Sequence, residues 1–417
     1  MRRPIPAFLL LSSGLLLFAC NSPASSNANT NDGTTAIIDS IYPPVEKNKA
    51  NSNFQPAFKG QTRIAGVKTQ TPYSTTIVTK ALKSPWGIAV LPDGRLLISE
   101  KEGTFRIVAS NGQVSQPITG APKVDSQAQG GLLGLTIAPD FAKTREVYWV
   151  FVEPVKGGNH TAVAKGKLAK DEKTIEGATV IYRALPTFNG KLHYGGRIIF
   201  DKQGNLLVST GERSELETRP QAQSLNSALG KILRITKEGK PASGNPFAGQ
   251  KGALPEIYSY GHRNIQGLAI HPQTGDLWET EFGPRGGDEL NVISPGKNYG
   301  WPTITYGIEY SGKQIGNPVI QQKKGLEQPV YYWDPVLSPS GLTFYTANNI
   351  PEWKNSLFSG GLSSTHIARL VIKDRKVVGE ERLLAKEGQR FRDVAQGKNG
   401  ELFAITDAGF LYKIDKK

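Results

Sequence analysis

One short unit recurs six times along the 417-residue chain and constrains the fold more than any other feature. Its first copy, residues 85–100, has the pattern of a strand, a Pro-Asp-Gly turn and a second strand. The related copies begin at Gly134, Gly196, Gly267, Gly341 and Arg392. Their mean spacing of about 61 residues is long for a minimal four-stranded blade and fits blades with long connecting loops.

This repetition predicts an all-β protein with the architecture of a six-bladed β-propeller, which we place at residues 61–417. A single twisted sheet cannot bury both of its faces, whereas a ring of sheets buries them against neighbours and leaves short edges. No long stretch has the helical period. A β-solenoid or a pair of sandwiches remains an alternative, although irregular spacing disfavours a solenoid, whose repeats are short and uniform.

The N-terminal residues have the pattern of a targeting segment. Arg2 and Arg3 precede an apolar stretch that is too short for a comfortable transmembrane helix and ends at Cys20, the single cysteine. The Leu-Phe-Ala-Cys sequence looks like a bacterial lipoprotein box, so we expect a signal peptide at residues 1–19. An ordinary signal peptide with an incidental cysteine is the alternative.

A lipid on Cys20 would anchor an exported protein to the bacterial cell envelope on the periplasmic face. Residues 20–60 are rich in Asn, Ser, Thr, Ala and Pro. This composition predicts a flexible tether between the lipid and the folded domain.

Charge and cysteine content exclude several classes of function. The single cysteine excludes a disulfide framework and a thiolate zinc cluster. The formal net charge is +14, but lysines and arginines are scattered without a run of five, so we expect no nucleic-acid partner. A basic field favours an anionic cofactor or substrate.

Polar segments stand at or just before the first strand of four repeats. They lie at residues 129–134, 192–197, 259–267 and 390–394. Topologically equivalent positions of a propeller gather on one face around the central channel. The sequence therefore predicts one site formed by all four segments.

Two of these segments have residue types that suit specific chemistry. His193 is our candidate general base, because a neutral imidazole titrates near working pH; a hydrogen-bonded structural histidine is the alternative. Arg390 and Arg392 are two residues apart and share one face of a strand, which suits recognition of carboxylates. Surface salt bridges are the alternative for the arginines.

A fifth segment, residues 278–291, combines clustered carboxylates with a Gly- and Pro-rich loop. Such oxygen donors suit a hard cation, and Ca²⁺ best among the common ones. The spacing is not that of an EF-hand, and a plain acidic turn is the alternative.

Taken together, the ordered set of segments resembles the soluble quinoprotein aldose (glucose-type) sugar dehydrogenases, which use pyrroloquinoline quinone (PQQ). The likeness runs from about Ser84 to Lys413 and is strongest at residues 258–302. It implies a six-bladed propeller that oxidises the C1 hydroxyl of an aldose to an aldonolactone by hydride transfer to PQQ, assisted by Ca²⁺. It also implies an external electron acceptor.

The resemblance assigns roles to individual residues. His193 matches the proton acceptor, and Arg263 matches a group that stabilises charge on the quinone oxygen. The positions that hold PQQ or line its pocket are matched by Gln129, Arg263, Asn264, Tyr310, Arg390 and Arg392. Gly283 and Pro284 match the pair whose main-chain carbonyls bind the catalytic Ca²⁺, and Glu289 and Tyr299 match ligands of a second, structural Ca²⁺.

Two positions depart from the family pattern. The residues 211–213 are Gly-Glu-Arg, where the family usually has Gly-Asp-Arg with the aspartate orienting the imidazole. The segment 360–364 lacks the lysine that contacts the cofactor in the best-known glucose-oxidising member. These departures leave open a non-catalytic carbohydrate- or protein-binding propeller, and a metal-dependent propeller hydrolase such as a lactonase is a further alternative.

Overall fold

A computed structural model describes residues 42–417, which form six antiparallel sheets. The strand β1 (Tyr73–Thr79) precedes the first of these sheets in the chain and belongs to the last. The first sheet consists of β2 (Pro85–Val90), β3 (Leu96–Glu100) and β4 (Thr104–Val108). The second consists of β5 (Leu132–Ile137), β6 (Glu146–Val155), β7 (Gly158–Leu168) and β8 (Ile175–Arg183). The third consists of β9 (Ile198–Phe200), β10 (Leu206–Ser209), β11 (Lys231–Ile235) and β12 (Ile257–Tyr260).

The remaining sheets follow the same up-and-down order. The fourth consists of β13 (Ile265–Ile270), β14 (Leu277–Glu281), β15 (Asp288–Ile293) and β16 (Tyr331–Trp333). The fifth consists of β17 (Pro339–Phe344), β18 (Leu357–Gly361), β19 (Ile367–Lys373) and β20 (Lys376–Leu383). The sixth combines β21 (Phe391–Gln396), β22 (Leu402–Thr406) and β23 (Leu411–Lys416) with β1.

The ring is closed by hydrogen bonds between the two ends of the folded domain. Strand β1 pairs with β23 in antiparallel register, with Tyr73 opposite Lys416. The first strands of the sheets also meet, since β2 contacts both β5 and β21. Each of the six sequence repeats supplies the first strand of one sheet. The predicted six-bladed β-propeller is therefore confirmed.

Local sequence explains why each repeat folds as strand, turn and strand. In the first copy, Leu97 on β3 is buried among apolar side chains, and Gly94 takes a left-handed φ of 93° in the preceding turn. Apolar clusters fill the space between successive sheets, as where Ile98 of the first sheet packs with Ile405 of the sixth. Burial between blades, rather than within one sheet, therefore holds the ring together.

Helical structure is sparse in residues 42–417. It comprises one short helix, α1 (Phe141–Thr144), and three single 3₁₀ turns at Arg219–Gln223, Pro351–Trp353 and Ala385–Glu387. None of the helices in this described part has the length and apolar character needed to cross a membrane.

The structure differs from the sequence prediction at the start of the domain. Residues 42–60 belong to the predicted tether, yet they are hydrogen bonded to the propeller: Asp334 accepts bonds from Asn51 and Ser52. Gln61, just beyond, is fully buried. The polar composition of these residues suggested a chain without contacts. Instead, backbone and side-chain groups of Asn51 and Ser52 donate hydrogen bonds to Asp334, which lies on a loop distant in the sequence. The predicted signal peptide, Cys20 and the rest of the tether up to residue 41 lie outside the described residues.

Candidate active site

A cavity of about 710 Å³ lies where the first strands of all six sheets begin. Its wall receives at least one side chain from every blade: Ser84, Gln129, His193, Gln266, Ser338 and Arg392. The expected convergence of the polar segments on one site is therefore observed. The volume falls within the usual range for a ligand-binding pocket.

His193 lies in the cavity wall and is held from two sides. Its backbone N–H donates to the side-chain oxygen of Gln129 over 2.9 Å, and its Nδ1 lies 2.6 Å from Oε1 of Glu212. The other carboxylate oxygen of Glu212 accepts the N–H of Ser214. The longer side chain of glutamate therefore reaches the imidazole that aspartate reaches in the family pattern.

This contact sets the tautomer of His193. Since the Nδ1 atom faces a carboxylate, it bears the proton, and Nε2 of the neutral ring keeps its lone pair. Burial lowers the pKa of His193 to about 4; the positive charge of Arg263 also lowers it, and the hydrogen bond and charge of Glu212 oppose this shift. The imidazole is therefore neutral at pH 7 and can accept a proton at Nε2.

Several residues of the cavity wall adopt a backbone conformation that is unusual for residues other than glycine. The φ angles of Ser84, Ala128, His193 and Ser338 are 45°, 47°, 47° and 51°. Each of these residues stands shortly before the first strand of its blade. Left-handed backbone of this kind is sterically costly and concentrates at functional sites. The repeated bend turns these side chains or their neighbours toward the cavity.

Arg390 and Arg392 both line the cavity and share one carboxylate, that of Asp407. Nε of Arg390 lies 2.9 Å from one oxygen of Asp407, and Nε of Arg392 lies 2.8 Å from the other. The arginine pair thus lies on one face, as predicted. Nearby, burial and the charge of Arg392 lower the pKa of Lys101.

Two further predicted residues, Gln129 and Tyr310, also line the cavity. Gln129 uses its side-chain oxygen to hold His193. Tyr310 is 71% exposed and lies at the mouth. The first residue therefore positions the candidate base, while the second is open to an incoming ligand.

Arg263 and Asn264 do not line this cavity but lie directly behind its wall. The side-chain oxygen of Asn264 accepts the N–H of Gly195, a wall residue, over 2.9 Å. Nη1 of Arg263 donates to the carbonyl of Gly283 over 2.6 Å. Among residues 42–417, Nε of Arg263 and Nδ2 of Asn264 are buried donors without an acceptor.

The loop that contains Gly283 and Pro284 forms another part of the wall. Buried Asp288 fixes this loop, because it accepts the N–H of Gly283 over 2.9 Å and the N–H of Ser338 over 2.7 Å. Burial raises the pKa of Asp288 to about 6. The carbonyl of Gly283, a predicted Ca²⁺ ligand, already accepts a hydrogen bond from Arg263.

A second, much smaller void lies behind this loop. It is about 10 Å³ in volume, close to the space of one water molecule, and is lined by residues that include Arg263, Glu281, Glu289 and Thr305. Burial and the charge of Glu281 raise the pKa of Glu289 well above its ordinary value. Burial, and next the charge of Glu281, likewise raise the pKa of Glu279 well above its ordinary value. A cation would relieve the repulsion among these carboxylates.

The donor set around these carboxylates includes a histidine. Oxygen or nitrogen atoms of His262, Glu279 and Glu281 lie within 4.8 Å of one another. Tyr299 stacks on His262 with the ring centres 4.8 Å apart. The Tyr299 hydroxyl, however, donates to the carbonyl of Val292 and accepts the N–H of Ser294. Of the two predicted ligands of the structural Ca²⁺, only Glu289 therefore lines the void with its side chain.

Sequence reasoning missed the residues that hold the site from behind. Glu281 accepts the N–H groups of both Arg263 and Asn264, and Asp407 joins the arginine pair. Arg197 donates to Asp393 over 2.8 Å and to the carbonyl of Gln266 over 2.6 Å, so it joins three blades. Glu281 lies in the acidic segment that the sequence analysis identified. No sequence pattern indicated that Asp407 pairs with the two arginines or that Arg197 pairs with Asp393.

Comparisons with known proteins agree with this arrangement. A sequence model of the family described as glucose / sorbosone dehydrogenase matches residues 82–413. The chain is 39% identical over 345 residues to the aldose sugar dehydrogenase YliI of Escherichia coli (strain K12), covering 82% of this chain and 92% of that protein.

Solved structures extend the comparison. The apo form of the soluble aldose sugar dehydrogenase from Escherichia coli superposes with a TM-score of 0.78 at 38% identity, covering 83% of this chain and all of that one. The PQQ-bound form of the aldose sugar dehydrogenase from Streptomyces coelicolor superposes with a TM-score of 0.67 at 30% identity, covering 84% of this chain and 99% of that one. The chain therefore belongs to the glucose / sorbosone dehydrogenase family, that of the soluble PQQ-dependent aldose sugar dehydrogenases.

Proposed function

We propose that this protein oxidises the C1 hydroxyl of aldose sugars to aldonolactones with PQQ as hydride acceptor. One observation supports the proposal above all others. A neutral imidazole, that of His193, is locked by Glu212 in the wall of a large cavity that also contains an excess of cationic side chains. The names of two relatives support the proposal in part: one is an aldose sugar dehydrogenase, and another aldose sugar dehydrogenase was solved with PQQ bound.

The residues of the cavity fit an anionic cofactor. Its wall contains four cationic side chains, those of Lys101, Arg285, Arg390 and Arg392, against the two carboxylates of Asp288 and Asp407. Burial, and next the charge of Arg392, lower the pKa of Lys101 in this wall. The carboxylates of PQQ would pair with the two arginines. Arg263 and Asn264 lie behind the wall, so the charge of Arg263, rather than a direct hydrogen bond, would act on the quinone.

The fit to Ca²⁺ differs between the two expected positions. The small void is lined by the carboxylates of Glu281 and Glu289 as well as by Arg263, and these two negative charges outweigh the one guanidinium, so the void suits a structural Ca²⁺. At the loop, the guanidinium of Arg263 already occupies the carbonyl of Gly283 and would repel a second cation. The residues around the carbonyl of Gly283 therefore do not fit a metal ion, and the proton transfer is derived without one.

The chain's own residues carry out the proton transfer. Nε2 of His193 accepts the proton of the C1 hydroxyl as the C–O bond of the sugar becomes a carbonyl. Glu212 stabilises the imidazolium that forms, because its carboxylate accepts the Nδ1 proton over 2.6 Å. Bound PQQ, held by Arg390 and Arg392, would supply the hydride-accepting chemistry for C1, and an external acceptor would take up the electrons.

The charge of Arg263 would also lower the activation free energy of sugar oxidation. Arg263 is 5% exposed, so its charge acts in a medium from which water is largely excluded. From behind the wall, this charge would stabilise negative charge that develops on an acceptor oxygen in the cavity. The Trp301 ring, 5.1 Å from the guanidinium, fixes its position.

Reconstitution of the purified protein tests the proposal. With PQQ and Ca²⁺ added, we expect dye reduction with a panel of aldoses, and a loss of turnover in His193→Ala with quinone absorbance still retained after desalting. Full turnover of His193→Ala would overturn the base assignment. Sugar binding without turnover would instead support a binding propeller, and lactone hydrolysis without quinone would support a hydrolase.

We also propose that the protein is exported and anchored to the cell envelope through a lipid on Cys20. The support is the sequence pattern before Cys20 and the single cysteine of the chain. Labelling of cells with a radioactive fatty acid tests this proposal, since label would enter the wild-type protein and not Cys20→Ser. The external electron acceptor would then be reached on the periplasmic side.

A further inference from the structure

The residues that precede the family-matched part of the chain cover the outer edges of two blades. We call residues 42–71 the collar. The carbonyl of Gln61 in the collar accepts the N–H of Tyr332 on β16, the last strand of the fourth sheet, over 2.8 Å. The N–H of Val67 donates over 3.0 Å to the carbonyl of Glu380 on β20, the last strand of the fifth sheet. The collar is therefore folded against the propeller, and it covers strand edges that would otherwise lie open.

The acidic groups at this junction are bound between the collar and the blades. Buried Glu381 accepts both the N–H and the hydroxyl of Thr69, over 2.8 Å and 2.7 Å. Glu46 is the single acidic residue in the collar sequence, and its side chain, 11% exposed, pairs with Arg382 of β20. These carboxylates are therefore largely shielded from solvent.

The outer side of the collar is basic. Four of its lysines are exposed: Lys47, Lys49, Lys59 and Lys68. None of the four forms an ion pair within residues 42–417, where the paired lysines are others. Arg63 adds its charge beside Lys47, because its guanidinium donates to the carbonyls of Glu46 and Asn48 on either side of that lysine. The collar thus presents positive charge to solvent without carboxylate partners.

Two aromatic side chains accompany these lysines. Tyr42 is 42% exposed and Phe58, the neighbour of Lys59, is 39% exposed. The backbone of Tyr42 is fixed by two hydrogen bonds of 2.9 Å with Gly66, and the carbonyl of Phe58 accepts the N–H of buried Gln61. Basic and aromatic side chains on one exposed segment are the combination that binds at the interface between a membrane and water.

We propose that the outer side of the collar is a membrane-contact surface, where Lys47, Lys49 and Lys59 bind anionic lipid headgroups. The negative potential of such a membrane attracts each lysine near it. The exposed rings of Tyr42 and Phe58 lie at the level of the headgroups. The inference goes beyond the proposed oxidation of sugars and deepens the proposed lipid anchor at Cys20, on which it rests for the nearness of a membrane.

The length of chain before the collar suits this contact. Residues 20–41 form a connection of 22 residues between the expected lipid and Tyr42, the first residue of the collar. A flexible chain of that length has an r.m.s. end-to-end distance of about 25 Å. The collar is therefore the part of the folded domain that lies nearest to the anchor along the chain. A lipid and a basic patch together bind a membrane more firmly than a single acyl chain does.

Sedimentation with lipid vesicles tests the contact surface. The full-length Cys20→Ser protein cannot carry the lipid, so its binding reports the polypeptide alone. We expect it to bind vesicles of phosphatidylcholine mixed with phosphatidylglycerol more tightly than vesicles of phosphatidylcholine alone. The neutral vesicles measure what the apolar stretch before residue 20 contributes. High salt should remove the difference between the two kinds of vesicle, because it screens exposed charges.

Replacement of three lysines measures the share of the collar. In the Cys20→Ser protein, Lys47→Gln, Lys49→Gln and Lys59→Gln combined should weaken binding to the anionic vesicles about 100-fold, which is about fivefold for each lysine. The matched control replaces three exposed lysines of the second blade with glutamine: Lys167, Lys170 and Lys173. It removes the same total charge and should change binding less than twofold. Equal Tm values would show that both triple variants fold.

The outcomes separate the contact surface from the other proposals. Equal losses in the two triple variants would show attraction by the overall charge of the protein and would overturn the contact surface. Equal binding of the Cys20→Ser protein to both kinds of vesicle would overturn it as well. If binding depends on the collar but fatty-acid label does not enter the wild type, the contact surface stands and the lipid anchor fails. Dye reduction tests the dehydrogenase separately, since none of the three collar lysines lines the cavity.

Discussion

Nδ1 of His193 lies 2.6 Å from Oε1 of Glu212; both side chains are buried, and that of His193 lines the cavity. This contact decides which nitrogen of the imidazole can accept a proton. It also explains how a glutamate serves at a position where the family pattern has the shorter aspartate. Because Ser214 donates to the second carboxylate oxygen, the glutamate cannot rotate without losing that bond.

We expect Glu212→Gln to lower kcat about 10- to 100-fold with little change in KM, as for other groups that orient a functional histidine. The neutral amide can neither hold the Nδ1 proton as firmly nor stabilise the imidazolium. Steady-state kinetics of the reconstituted enzyme measure this. Glu217→Gln, an exposed glutamate of the same loop, is the control. Wild-type kcat in Glu212→Gln would contradict the orienting role.

The pH dependence of stability should report the buried His193. Its pKa is about 4 in the folded protein and about 6.5 when unfolded. The unfolded chain therefore takes up a proton between these values while the folded protein does not. Stability falls as pH decreases from about 6.5 to about 4, by up to about 3 kcal/mol.

Urea unfolding of the wild-type apoprotein and His193→Gln at several pH values measures this contribution. The variant lacks the titrating ring, so the difference in free energy of unfolding between the two proteins should shrink toward pH 4. A difference that is constant from pH 7 to pH 4 would show that burial does not suppress protonation of His193.

Arg392→Gln should weaken PQQ binding about tenfold, and more than Arg390→Gln does. The side chain of Arg392 is 15% exposed and that of Arg390 is 49% exposed, so solvent screens the first charge less. Equilibrium dialysis followed by quinone absorbance measures the dissociation constants. Arg375→Gln is a matched control, since Arg375 also pairs with an aspartate but lies outside the cavity wall. The opposite order of the two variants would contradict this account.

Arg197→Met should lower the free energy of unfolding by about 3–5 kcal/mol, because it leaves the buried carboxylate of Asp393 without its guanidinium. The arginine also donates to carbonyls of Gln266 and Arg392, which belong to two further blades. Urea denaturation measures the loss. Arg183→Met, at a surface pair with Glu153, should change stability by less than about 1 kcal/mol. Similar losses for both variants would contradict a joining role for Arg197.

Calcium should stabilise the protein through the carboxylates around the small void. After treatment with a chelator, we expect added Ca²⁺ to raise Tm, and a saturating excess of about 100 times Kd contributes about 2.7 kcal/mol. Glu289→Gln should remove most of this shift, whereas exposed Glu238→Gln should keep it. Scanning calorimetry measures both. A Ca²⁺-dependent Tm that Glu289→Gln leaves unchanged would place the ion elsewhere.

The ring of six blades, and the residues that meet at its centre, could be predicted from the sequence alone. Alternating strands and Pro-Asp-Gly turns depend on neighbours a few positions apart, so the repeats at Gly134 and Gly196 could be recognised without the fold. Convergence of His193 and Arg392 followed from the symmetry of a propeller.

The way in which these residues are held follows from the three-dimensional fold, because their partners lie far apart in the chain. Asp407 could be assigned to the arginine pair only after β22 and β21 were paired, and the carbonyl of Gly283 proved to be occupied by Arg263. Residues 46–52 had the composition of a free tether, yet Asp334, 283 residues from Asn51, accepts its backbone N–H. Hydrogen bonds between residues so far apart in the sequence produce no periodic sequence pattern, because each bond depends on the three-dimensional path of both chain segments.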